Sequence, residues 1–433
     1  MRPIYAVLLI TLILGCTAGG DETAIRGRIM GADGRPLIQS DIQIFSNEPT
    51  RPRLLMRTIR VAPDGRYSIP VAHAGFYFVR ICGVNHQPVE MPLYVESLKT
   101  VDLDINLKAI EYNKTPQAVT LIGDFNNFSH RDGGLEMTRG DDGVYRVDVE
   151  SPADTLAYQV IGIDVNKHSV NGTQADYCVP DVSGDYISVI RTAGKSSVTI
   201  ELDPGQLDYP AGGGAIVFGQ DNKYEETFAQ IFTDVQNRRN EIWAAYRDHT
   251  EGGGDADDFD YDYEKDTGLL SQLWEQEEDP VLEEMRMWAR AAYGKLDSTL
   301  AKKVLNWLRP DAPLWSVDTQ LLTNLVTVTG KDSLYLDYLI TLVDEHPDET
   351  IKPHILQHAM WVADNHGMDD LVMEMYTRFV TDYPTSNRIP SVNASYSPDR
   401  NIQPGNPVPD FRFTSIDNAA ESVDRNGLMG KVY

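Results

Sequence analysis

A chain of 433 residues exceeds the usual size of one folding unit, so two to four domains are expected. Its 65 acidic and 38 basic residues give a formal net charge of −27, a surface that repels nucleic acid and anionic lipid. The three cysteines, Cys16, Cys82 and Cys178, form no metal-ligand or C-x-x-C spacing.

The first 16 residues have the layout of a secretory signal: Arg2, an apolar run from Ala6 to Leu14, then Gly15-Cys16. That run is too short to cross a bilayer as a permanent helix. Ile13-Leu14-Gly15-Cys16 resembles a bacterial lipobox, although Leu14 is a less usual residue at its position, and plain cleavage near Ala18 is the alternative. The resemblance implies removal of residues 1–15, lipidation of Cys16, and a chain held by acyl groups in the bacterial cell envelope, periplasmic or outer-membrane-associated. Such an oxidising compartment would permit a Cys82–Cys178 disulfide. The two cysteines sit in segments assigned to different domains, so buried free thiols are the other reading.

Residues 24–109 read as a small β-sandwich. Gly31-Ala32-Asp33-Gly34-Arg35-Pro36 and Pro63-Asp64-Gly65 are turn clusters between alternating segments, and Val101, Leu103, Ile105 and Leu107 alternate with polar residues along one strand. The order G-x-I, D-G-x-P-L, D-G-x-Y-S-I and G-x-Y-x-V-R resembles carboxypeptidase regulatory-like domains, which implies a seven-stranded spacer or docking module without an active site.

Residues 116–203 read as a second sandwich. Gly123-Asp124-Phe125-Asn126-Asn127-Phe128, with Gly143-Val144-Tyr145-Arg146-Val147-Asp148-Val149-Glu150 after it, resembles early-set domains related to glycogen-binding modules. Between 109 and 211 there is no tryptophan, and sugar rings stack on broad aromatic faces, so a module that keeps only the fold is expected.

Pro210-Ala211-Gly212-Gly213-Gly214 reads as a flexible joint, after which helical spacing replaces alternation. Residues 222–384 are expected to be an α-helical domain. Leu282, Met285, Trp288 and Ala289 form one stripe; Leu336, Leu339, Ile340 and Val343 a second; Leu356, Ala359, Met360 and Ala363 a third; Val372, Met375, Tyr376 and Phe379 a fourth. Glu345-His346-Pro347-Asp348 and Asp382-Tyr383-Pro384-Thr385, 37 residues apart, suggest helical hairpins of tetratricopeptide type. His354 and His358 lie one helical turn apart with His366 beyond, but without H-E-x-x-H they read as surface histidines rather than a metal site. The acidic insertion 251–266 (Asp255, Asp257, Asp258, Asp260, Asp262, Glu264, Asp266) lacks EF-hand spacing, so a self-repelling loop is expected over a Ca²⁺ site.

Residues 402–433 begin with Ile402-Gln403-Pro404-Gly405-Asn406-Pro407-Val408-Pro409-Asp410-Phe411-Arg412-Phe413 and reach Gly430-Lys431-Val432-Tyr433. G-x-x-x-P-D-F, a strand, a polar turn and a second strand opening on G-K-V resemble the approach to TlpA/ResA-like and peroxiredoxin-like (AhpC/TSA) thioredoxin folds. In those families the strand begun at Gly430 continues through an apolar run that ends in W-C-x-x-C or an equivalent cysteine.

The expected fold class is therefore multidomain: two N-terminal β-sandwiches, an all-α helical-hairpin domain, and the first strands of a truncated thioredoxin-like α/β domain. The expected function is the N-terminal portion of a lipid-anchored extracytoplasmic thiol–disulfide oxidoreductase. It carries no catalytic, cofactor-binding or metal-ligating residue, has Cys16 as its lipidation site, and by resemblance meets a thiol or disulfide protein partner. The alternative is a non-enzymatic surface lipoprotein whose sandwiches bind polysaccharide or a protein. No G-x-S-x-G elbow or phosphate-binding glycine loop offers a hydrolase or nucleotide site.

Overall fold

The computed structural model describes residues 23–400 apart from stretches at 38, 48–52, 114–115, 117, 151–153, 165–169, 182–183, 208–211, 262–278, 295 and 331–333, together with 411–414 and 422–428. Cys16 and most of the 402–433 motif lie outside the described residues. Two β-domains precede a helical region.

The first β-domain contains β1 (Ala24–Met30), β2 (Ser40–Phe45), β3 (Leu55–Arg60), β4 (Arg66–Pro70), β5 (Gly75–Gly83), β6 (Val89–Val95) and β7 (Val101–Asn106). One sheet runs β7-β1-β4 and the other β3-β2-β5-β6. Their inner faces meet in one core that includes Ile25, Ile29, Ile42, Val79, Ile81 and Leu103. The alternation of β7 decides its facing: Val101, Leu103 and Ile105 are buried, while Asp102 and Asp104 face water. β1 and β7 run parallel, and a Cβ at Gly27 would lie 1.8 Å from the Leu103 carbonyl oxygen. Glycine is the one residue that permits this approach.

The second β-domain contains β8 (Thr120–Gly123), β9 (Leu135–Glu136), β10 (Thr138–Arg139), β11 (Tyr145–Glu150), β12 (Thr155–Ile161), β13 (Tyr177–Pro180), β14 (Tyr186–Arg191) and β15 (Ser197–Leu202). Sheets ordered β13-β14-β12-β8-β9 and β10-β11-β15 share a core of Leu121, Val149, Tyr158, Val160 and Ile200 among others. Polar contacts tie it to the first, among them Tyr186 Oη donating to Asp41 Oδ2 at 2.9 Å, Gln43 Nε2 to the Asp181 carbonyl at 2.7 Å, and Asn171 N to Asn85 Oδ1 at 2.9 Å.

The chain then returns to the first domain. β16 (Ala215–Phe218) pairs antiparallel with β7 and extends that sheet to β16-β7-β1-β4. The second β-domain is thus inserted between two neighbouring strands of the first, and residues 215–218 belong with 24–109. The glycines expected as a flexible joint make a fixed turn instead. Gly213 has φ +84°, a Cβ there would come within 2.3 Å of the Leu107 carbonyl oxygen, and Gly214 N donates to the Asn106 carbonyl at 2.6 Å.

Helices follow: α1 (Lys223–Glu251), α2 (Pro280–Tyr293), α3 (Ser298–Trp307), α4 (Thr319–Val328), α5 (Leu334–Glu345), α6 (Lys352–Asn365), α7 (Asp369–Asp382) and α8 (Ile389–Tyr396). Asp279, Asp297 and Asp318 cap α2, α3 and α4 by accepting from first-turn amides. The four stripes read from the sequence supply the core: Leu282, Met285, Trp288, Leu339, Val343, Leu356, Met360, Met375 and Phe379 are all buried. Residues 334–396 are consecutive helices joined by short loops, each packed on the next. Helix α1 spans 29 residues, or about 43 Å at 1.5 Å per residue. Its first half buries Phe228, Ile231 and Val235, whereas Trp243 in its second half is exposed.

The helices close onto the first β-domain through aromatic residues. The Phe228 ring lies 4.7 Å from Phe76 of β5 and 5.5 Å from Trp288 of α2, with Tyr94 of β6 at 5.8 Å. Burying each such ring stabilises by roughly 2–3 kcal/mol before entropy costs. Further along, β17 (Arg412–Thr414) and β18 (Ser422–Asp424) pair antiparallel, followed by the single turn α9 (Arg425–Leu428).

Candidate functional site at the junction of the first β-domain and the helices

The seam between β-domain and helices opens into a cleft of about 810 Å³. Tyr94 and Glu96 come from the end of β6, Glu284 from the first turns of α2, Trp307 from the last turn of α3, Arg309 and Asp311 from the loop after it, and Glu345 from the end of α5. Each wall is an element terminus, where chain direction changes and side chains are free to project. Four carboxylates thus face one guanidinium. Arg309 Nε is 3.5 Å from Asp311 and 3.9 Å from Glu284. Burial raises the pKa of Glu284, Arg309 opposes that shift, and Asp311 adds to it. Tyr94 is also raised, chiefly by burial and then by Glu96 and Glu284. Trp307 keeps 51% of its surface in water at the rim.

Beneath the cleft lies a buried polar lock. Asp348 Oδ2 accepts from Asn47 Nδ2 at 2.7 Å, and Asp348 Oδ1 accepts from Thr350 Oγ1 at 2.6 Å and Thr350 N at 2.9 Å. Asn47 also donates to the Phe76 carbonyl at 2.9 Å, so one side chain joins the β-domain to the helices. The Asp348 amide donates to His346 Nδ1 at 3.1 Å, which leaves Nε2 to donate to the Ala312 carbonyl at 3.2 Å: a neutral imidazole with both nitrogens used. Burial holds the His346 pKa down. Burial pushes the Asp348 carboxyl up, but the hydrogen bonds from Thr350 and Asn47 outweigh it and hold the carboxyl below its usual range. The His346-Pro347-Asp348 segment does end a helix, α5 closing at Glu345, and it serves besides as an interdomain anchor.

The residues singled out in the sequence are not brought together into one centre. His354 and His358 are half-buried on α6, a correction to the expected surface position. Burial, then Arg388 and His358, lower His354 to about 3. His366 is exposed at the C-cap of the same helix. Asp255, Asp258 and Asp260 are exposed, while Asp262, Glu264 and Asp266 lie outside the described residues. Among the described residues, no group of three or more His, Cys, Asp or Glu is arranged to hold a metal. Cys82 and Cys178 are free thiols; burial pushes Cys82 up to about 12 and raises Cys178 too. No described helix is long and apolar enough to cross a membrane.

The Gly-Asp-Phe-Asn motif of the second β-domain does structural work. A Cβ at Gly123 would lie 2.5 Å from the Ala157 carbonyl oxygen, Asp124 Oδ2 accepts from Ala157 N at 3.2 Å, and Asn126 Nδ2 donates to the carbonyls of Ser129 and Asp132, each at 3.0 Å. The cleft escaped sequence reasoning because its walls come from segments about 250 residues apart. The only local signal was a tryptophan outside any apolar stripe, Trp307.

No family model matches the chain, and no curated protein matches it. Among solved structures, one from Bacteroides uniformis ATCC 8492, provisionally described as a carbohydrate binding protein, is similar at 14% identity over 46% of this chain and 99% of its own, with a TM-score of 0.17. A likeness at that score carries no argument about fold or ligand.

Proposed function

We propose that the chain is the front portion of a lipid-anchored, extracytoplasmic thiol–disulfide oxidoreductase of TlpA/ResA-like type. In this reading the β-domains are a carboxypeptidase regulatory-like sandwich and an early-set sandwich, and the helices are tetratricopeptide-like hairpins. The observation that carries it is the hairpin after the helices. Arg412 pairs with Asp424, Phe413 with Val423 and Thr414 with Ser422, and one helical turn then leads to Gly430-Lys431. The resemblance calls for a strand after P-D-F, a polar turn and a second strand opening on G-K-V; β17 stands where the first strand is called for, and the G-K-V segment lies outside the described residues. Phe413 and Val423 are exposed at 68% and 45%, as suits a hairpin whose apolar face belongs against further strands.

By resemblance, the redox step would use a low-pKa thiolate at a helix N-terminus, with a second cysteine resolving the mixed disulfide. Cys82 and Cys178 are unsuited to that work, because their raised pKa values keep them as thiols. The test is to purify the native polypeptide from membranes, measure its intact mass and assay insulin reduction. The reading expects a mass beyond Tyr433, a W-C-x-x-C peptide, reductase activity, and loss of membrane association in Cys16→Ala. A native polypeptide whose C-terminal peptide ends at Tyr433 and that lacks reductase activity would sink it.

A further inference from the structure

The cleft has an aromatic rim, an excess of carboxylates and no role in the redox proposal. We infer that it binds a small organic cation, an ammonium or guanidinium group, with Trp307 supplying the aromatic face and Glu96, Glu284 and Glu345 the counter-charge. Its volume of about 810 Å³ suits a small molecule. An indole that keeps half its surface in water at the end of α3 gains by being covered, and the face of tryptophan is the strongest aromatic partner for a cation.

The internal cation already present shows the chemistry the carboxylates accept. Arg309 reaches Asp311 and Glu284 from a side chain that is 65% exposed, but it leaves the other acids. Glu345 has no cationic partner among the described residues. Glu96 has only Lys99 at 4.0 Å, and Lys99 sits closer, at 3.2 Å, to the buried Glu225. A second positive group entering the cleft would therefore find unneutralised carboxylates, and a chain of net charge −27 would attract it from a distance. A bare metal ion suits the cleft less well. It needs oxygen ligands converging on one point, and the carboxylates here belong to no such group. The raised pKa of Glu284 accords with a carboxylate short of water, which Arg309 at 3.9 Å only partly offsets.

The test is calorimetry on the full chain with agmatine and spermidine as probes, maltotriose as a neutral control and CaCl₂ as a metal control, at low and at moderate salt. Saturable binding of at least one amine is expected, weakening as salt rises. Trp307→Ala, Glu284→Gln and Glu345→Gln should each weaken it, the first two by about tenfold. Trp243→Ala removes an exposed indole outside the cleft and should leave affinity unchanged. Circular dichroism of each variant checks that the fold persists. Absence of saturable amine binding, equal affinity in wild type and Trp307→Ala, or binding of Ca²⁺ or maltotriose alone would overturn the inference.

Discussion

The contact between Asn47 and Asp348 should be one of the strongest single links between the β-domain and the helices. Both residues are buried, at 8% and 4% exposure, and the 2.7 Å bond ends on a carboxylate whose pKa is held low, so it is charge-assisted. A hydrogen bond to a charged group contributes about 1.5–3 kcal/mol, and Asn47→Ala also leaves the Phe76 carbonyl without its donor. A loss of roughly 2–4 kcal/mol is expected from Asn47→Ala. Asp348→Ala strands donors from Asn47 and Thr350 and should cost about 3–5 kcal/mol. The double variant then gives a coupling of roughly 1.5–3 kcal/mol. Urea unfolding followed by tryptophan fluorescence is the appropriate assay. All six tryptophans lie between residues 243 and 361, so the signal reports the helices while one mutation sits in the β-domain. A coupling below about 0.5 kcal/mol would mean the domains are held by the aromatic seam alone, and the reasoning given for the lock would be wrong.

Three other outcomes follow from the same geometry. His346 is held below its unfolded pKa, so the unfolded chain takes up the proton first: stability should fall as pH drops below about 6.5, and His346→Asn should reduce that slope in denaturation at pH 7 and pH 5, with His354 and His86, also held low by burial, keeping part of it. Gly27→Ala drives a Cβ into the Leu103 carbonyl and should destabilise the first β-domain by about 3 kcal/mol or more, read as a lowered Tm; a neutral Tm would refute the close β1–β7 approach. In the folded protein Cys82 should resist alkylation at pH 8 while Cys178, half-buried, reacts faster, and rapid stoichiometric labelling of both without denaturant would contradict the burial described.

The sequence by itself determined the local elements and their order. The alternation of Val101, Leu103 and Ile105 specified a half-buried strand, and Leu356, Ala359, Met360 and Ala363 specified a helix face, because strand and helix periods are properties of neighbouring residues. Tertiary structure alone decided what those elements meet. Gly213 and Gly214 read as flexible, yet Gly213 lies against the Leu107 carbonyl and Gly214 donates to the Asn106 carbonyl, and the strand they introduce returns to a sheet begun about 190 residues earlier. Glu345 to Asp348 does end a helix, but the second role of Asp348 as an anchor is not legible locally, because its partner Asn47 stands 301 residues away. Trp307 has the same history: its exposure is fixed by α3, but its neighbours Tyr94 and Glu345 are brought by β6 and α5. Periodicity is written within a few residues, whereas a cleft or a lock is written in which distant faces are covered, and that depends on the packing of the whole chain.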